Sequence, residues 1–119
     1  MVRMLYCVMR EDSVSLKDFR NYFDGEHQKL ISEAAQILNA TGFQQSLTLM
    51  IDQNFAFMVE RGTGMPYDGV IELWWNNPGD LEKIMATEEV QAKAEDLFRQ
   101  ANRYIDMSRS KLFFTEQPK

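Results

Sequence analysis

The chain has 119 residues, enough for one domain (1–119) with a real core and too few for a second. Its 45% hydrophobic and 12% aromatic content is that of a globular protein, and a net charge of −5 with no run of Lys or Arg argues against nucleic acid or an acidic membrane as partner. The longest apolar runs fall far short of the roughly 20 residues that span a bilayer, the start MVRMLYCVMRED is too short in apolar residues for a signal peptide, and the lone Cys7 cannot form an internal disulfide, so a cytoplasmic protein is expected.

In chain order, Arg3–Arg10 is apolar nearly throughout and reads as a strand covered on both faces. Glu11–Val14 form a turn. Ser15–Leu38 then shows a period of 3.6, with Leu16, Phe19, Phe23, His27, Leu30, Ala34 and Ile37 on one stripe. Ser15 suits the N-cap, with Asp18 three residues on. Gly25 sits inside this helix, either as a tolerated surface glycine or as room for a ligand or another backbone near His27. Gly42 suits a left-handed helix stop.

Phe43–Ile51 alternates well enough for a second strand. Asp52–Tyr67 fits more than one form: its apolar group Phe55–Val59 suits a short strand, a helical turn or a lid, and RGTGMP is loop-like. Asp68–Asn76 is the clearest strand, with Val70, Glu72 and Trp74 facing one way and Ile71, Leu73 and Trp75 the other. Pro78 and Gly79 start a helical region that runs to Met107 and breaks near Thr87. Ser110–Glu116 is a last strand and Gln117–Lys119 a tail.

The order β-α-β-β-α-β is the split βαβ pattern of an α+β, ferredoxin-like fold, a four-stranded antiparallel sheet with two helices on one face. The other face of such a sheet is apolar and bare in a single copy, which predicts a homodimer formed through the sheet face.

The single histidine points with the phenylalanines, and a buried imidazole needs a polar partner or a ligand. His27 is thus either a general acid or base or a core histidine bonded to a carbonyl. Tyr67 can hold a substrate carbonyl at a pocket mouth. Asp68 can orient the imidazole, although Asp68-Gly69 is ordinary turn chemistry, which is the preferred reading. Glu72, a charge within a covered strand, belongs either to a site or to an arginine across a dimer. Tyr6, Trp74, Trp75 and Tyr104 are candidates for lining a pocket for a flat ligand, or plain core. Phe23, on the stripe beside His27, joins the substrate-binding candidates. One histidine and one cysteine make a metal site improbable on composition.

Three stretches together resemble the EthD family of dimeric α+β barrel proteins. Phe19, Tyr22 and His27 followed by Leu30 look like that family's F-x-x-Y-W…H-x-P-L segment. Tyr67-Asp68-Gly69-Val70 leading into Glu72-Leu73-Trp74 is similar to its Y-D-G-x-x-E-L-W-F strand. Arg103-Tyr104-Ile105-Asp106 looks like its F-V-D ending. The chain departs at Phe23, where tryptophan is usual, and at Gln28-Lys29, where a small residue and proline commonly follow the histidine.

The resemblance implies a dimeric α+β barrel with a small-molecule pocket in each subunit between sheet and helices, and no cofactor. Enzymes among such relatives include lactone isomerases and polyketide cyclases, decarboxylases and dehydratases. The founding member is an accessory protein of an ether-degrading oxidation system. The expectation is therefore a cofactor-free enzyme acting on a small aromatic, lactone or polyketide-like metabolite through His27, with Tyr67 or Glu72 holding the substrate. The alternatives are a non-catalytic accessory or ligand-binding protein and a cofactor-independent oxygenase.

Overall fold

Strand β1 (Val2–Val8) occupies the middle of the sheet because its inward positions, Met4, Tyr6 and Val8, are all large and buried. The computed structural model describes residues 1–118. β1 pairs antiparallel with β3 (Gly69–Trp75) on one side and β4 (Lys111–Glu116) on the other, and β2 (Gly42–Leu47) pairs with β3, giving the order β2-β3-β1-β4. Ile71, Leu73 and Trp75 alternate inward beside Met4 and Tyr6, as the period-2 pattern requires.

The helices within residues 16–37 and 78–99 lie over this inward face. The expected helix over 15–38 is two, α1 (Leu16–Asp24) and α2 (Glu26–Ile37), broken at Gly25 with φ −108° and ψ −90°. Ser15 caps α1, its hydroxyl accepting from the Asp18 N–H at 3.0 Å. The break rotates the buried stripe: Tyr22, Ile31 and Ala35 are buried with Phe19, Phe23, His27 and Ala34, while Leu16, Leu30 and Ile37 are only half-buried. The left-handed residue after α2 is Asn39 (φ 52°) and not Gly42. Gly42 is required for packing instead, since a Cβ there would stand 2.5 Å from the Trp74 ring.

β2 is shorter than the expected 43–51. At Thr48 the chain turns away, its N–H donating to the Asp68 carbonyl at 3.0 Å and its hydroxyl to that of Tyr67. The undecided 52–67 segment forms a helix, α3 (Asp52–Arg61), closed by Gly62 at φ 64°, and none of its residues is buried. The break near Thr87 separates α4 (Pro78–Met85) from α5 (Glu88–Arg99), which ends well before Met107; turns and a short 3-10 helix (Met107–Arg109) lead into β4. The architecture is the expected α+β sheet with helices over one face, each of the two expected helices being a broken pair.

On the outward face lie Arg3, Leu5, Cys7, Gln44, Ser46, Val70, Glu72, Trp74 and Phe113. In a single copy β1 and β3 are therefore covered on one face only. Glu72 meets Arg3 of its own chain at 3.7 Å, and the Arg3 guanidinium lies 5.7 Å from the Trp74 ring centre.

Candidate functional site

His27 is the second residue of α2, and the kink at Gly25 lets it stand over β2 while Phe23, from the end of α1, lies against its ring. The imidazole is wholly buried. Its Nδ1 is 2.6 Å from Gln45 Oε1, and Gln45 Nε2 donates to the Phe23 carbonyl at 2.8 Å. A carbonyl only accepts, so the amide nitrogen of Gln45 must face Phe23 and its oxygen must face His27. The proton is therefore on Nδ1, which donates to Gln45, and Nε2 carries the lone pair. That Nε2 is buried and has no hydrogen-bond partner. Burial lowers the imidazole pKa from the ordinary 6.5 to about 4, opposed by the Gln45 hydrogen bond, so the ring is neutral near pH 7.

Aromatic rings enclose it. Phe23 stacks on His27 with centroids 5.3 Å apart, Tyr22 lies 5.4 Å away, and Tyr22 in turn stacks on Tyr104 at 3.9 Å. The Tyr22 phenol is pushed up to about 12 by burial, with Glu26 and Tyr104 adding to the effect, and stays protonated. Beyond the tyrosine pair a surface hollow of about 580 Å³ opens, lined by Tyr22, Tyr104, Arg103, Glu26, Asp18 and Asn21 among others. On the other side, Phe23, Gln45, Asp24, Gln28 and Leu47 line one of about 200 Å³. His27 lines neither hollow and is separated from both by its neighbours' side chains.

The other sequence candidates are dispersed. Tyr6 lines a third hollow of about 150 Å³ between the sheet and α5, and its ring meets Phe98 edge-on at 5.8 Å. Tyr67 is half-buried in the loop before β3, its carbonyl accepting from Thr48. Glu72 and Trp74 are on the outward face, because Gln45 and Ile71 pair directly on the inward one and Glu72 is the next residue along. The sheet thus separates them from His27. Asp68 does not orient the imidazole: it accepts from the Arg10 N–H at 2.7 Å and latches β1 to β3. Among the described residues, no three His, Cys, Asp or Glu side chains gather where they could hold a metal. Gln45 escaped the reading by residue type, although a signal was present. In Phe43, Gln45, Leu47 it is a polar side chain on the apolar register of its strand.

The family model of the EthD domain matches residues 11–108, from the turn after β1 to the short 3-10 helix before β4. The chain belongs to the EthD family. Its EthD domain holds α1 to α5, β2 and β3, and therefore His27, Gln45 and the whole aromatic enclosure. Solved structures agree in fold. An EthD-family protein from Bacillus halodurans superposes with a TM-score of 0.58 at 14% identity, over 99% of both chains. HapK from Hahella chejuensis gives 0.55 at 12%, covering 99% of this chain and 93% of that one. A dimeric protein of ferredoxin-like fold from Bacteroides fragilis gives 0.58 at 11%, covering 98% and 95%. No curated protein matches the EthD chain in sequence. No helix among its described residues is long and apolar enough to cross a membrane.

Proposed function

We propose that this EthD-family chain is a cofactor-free enzyme, of isomerase, cyclase, decarboxylase or dehydratase type, that shifts a proton next to a carbonyl of a small aromatic, lactone or polyketide-like metabolite. The supporting observation is the His27 Nε2, a buried lone pair with no partner on a ring that is neutral at cellular pH. An orphaned buried acceptor costs about 1–3 kcal/mol, and a group offering a proton relieves that cost. Gln45 fixes the tautomer and ring plane, so the base is oriented before substrate arrives. Phe23, Tyr22 and Tyr104 exclude water and offer flat apolar surface, and Tyr67 holds a substrate carbonyl; Tyr6, in its own hollow beside α5, lies apart from them. Glu72 and Trp74, across the sheet, stand outside this site. Access of a substrate to Nε2 requires displacement of the Tyr22–Tyr104 pair, which lines the hollow of about 580 Å³.

The same reading takes the chain as a homodimer through its outward sheet face, supported by the apolar residues there and by a structural relative described as dimeric. It places the protein in the cytoplasm, in keeping with a single unbridged cysteine.

The test is exchange of a substrate's α-proton for solvent deuterium across a panel of aromatic ketones, lactones and short polyketides. His27→Ala is expected to lower the rate by about 10²–10⁴ with the circular dichroism unchanged. Exchange at the parent rate in that variant would refute the assignment. The complete enclosure of His27 favours a second reading, a ligand-binding accessory protein. Tight capture of a panel compound by the parent with no proton exchange would select it.

A further inference from the structure

The hollow beyond Tyr22 and Tyr104 carries a charge arrangement that the chemistry of His27 does not use. At about 580 Å³ it falls within the roughly 300–1,000 Å³ of small-molecule pockets. A second hollow of about 340 Å³ shares Tyr22, Glu26, Arg103 and Tyr104 with it. The charged side chains facing the first are Asp18, Glu26 and Arg103.

Arg103 differs from most arginines of the chain. Arg3, Arg10, Arg99 and Arg109 each stand within 4.0 Å of a carboxylate oxygen, and Arg20 donates to the Thr48 carbonyl. Among the described residues Arg103 makes neither an ion pair nor a side-chain hydrogen bond; its guanidinium lies 5.5 Å from the Tyr104 ring centre instead. Tyr22 stacks on that same ring at 3.9 Å, and Tyr22 in turn lies 5.4 Å from His27. Two phenol rings therefore stand between the free cation and the buried base.

The backbone beneath this cation is fixed. The Tyr104 N–H donates to the Ala101 carbonyl and the Tyr104 carbonyl accepts from the Glu11 N–H, both at 2.9 Å. The Asp106 N–H donates to the Met9 carbonyl at 2.9 Å, and Ile105 between them is buried in the core. Stacking on a phenol ring holds the guanidinium plane as well. A guanidinium positioned in this way, with no anion of its own, offers a carboxylate two parallel N–H donors.

The other charges narrow the ligand further. Asp18 and Glu26 set two carboxylates against one guanidinium around the hollow. A single carboxylate can be taken by Arg103, whereas a diacid or a phosphate dianion brings a second negative charge that meets repulsion.

We infer that the molecule this site takes is an elongated aromatic monoacid, its carboxylate anchored on Arg103 and its reacting carbonyl at the opposite end. The acid group is then two ring-widths from the carbon that loses its proton, so a fused two-ring skeleton reaches both groups. The place of the carbonyl rests on the proton-shift reading of His27, and the place of the acid on the hollow alone.

The test compares 6-acetyl-2-naphthoate with the neutral 6-acetyl-2-naphthamide by calorimetric titration of the full chain near neutral pH. The acid is expected to bind about tenfold tighter than the amide. Arg103→Gln, at an exposed side chain, is expected to erase that preference and leave the Kd of the amide unchanged. Naphthalene-2,6-dicarboxylate is expected to bind more weakly than the acetyl acid. Equal affinity for acid and amide in the parent, a preference that survives Arg103→Gln, or tighter binding of the dicarboxylate overturns the inference. So does failure of the parent to bind the acid at millimolar concentration. Exchange of the acetyl protons for solvent deuterium, followed in the same samples, reports on the base separately. Acid preference without exchange removes the enzymatic reading and keeps Arg103 as the anchor of a ligand-binding site. Exchange without acid preference does the reverse.

Discussion

An imidazole kept neutral by its surroundings makes folding sensitive to pH. The folded pKa of His27, about 4, lies below its unfolded value near 6.5, so between those values the unfolded chain binds a proton that the folded one does not. Its contribution to stability is complete above pH 6.5 and falls as pH drops toward 4, by about 3 kcal/mol in all. Urea unfolding of the parent between pH 7.5 and 4 should show that loss, and His27→Leu should lack it. Gln45→Glu places a carboxylate at Nδ1 and should raise the imidazole pKa by about 1–3 units, read from its ring-proton NMR shifts; an unmoved titration would mean that Gln45 is not its partner in solution. The histidine stood out in the sequence because one polar group on a phenylalanine stripe demands an explanation. The separation of Glu72 and Trp74 from it followed from the alternation of β3, but which face the helices cover depends on the whole sheet.

At the scale of elements, what burial decides was readable and what a single contact decides was not. The strand Asp68–Asn76 was legible because Ile71, Leu73 and Trp75 must share a face, and the break before α5 because Thr87 interrupts a helical period. Gly25 gave no such warning, since a glycine is tolerated within a helix or ends one according to what each half packs against. The 52–61 helix defeated periodicity because its apolar residues run consecutively and fit no single face. The conformational freedom of Gly42 suits a helix stop, whereas its real constraint is the Trp74 ring, a neighbour 32 residues along the chain. Gly42→Ala is therefore expected to cost about 1–3 kcal/mol through overpacking, with the near-UV signal of Trp74 altered. A variant as stable as the parent would show that the ring can move aside freely.

For the whole molecule, the half-buried Leu5 lies between Glu72 and Phe113 at the middle of the outward face. Leu5→Lys puts a charge where two such faces are proposed to meet, and light scattering should then report the mass of one chain where the parent shows two. A variant that stays paired would exclude this face as the contact.

The strand order also has a consequence for biosynthesis. β1 leaves the ribosome first, yet the strands beside it are β3 and β4. Translation must reach Gly69 before the first of these exists and Lys111 before the second. The central strand thus waits about 60 residues of synthesis for its first lateral companion and about 100 for its second. A premature stop late in the gene, ahead of Lys111, would release a polypeptide that contains every inward-facing helix and still has one flank of β1 open to any passing strand.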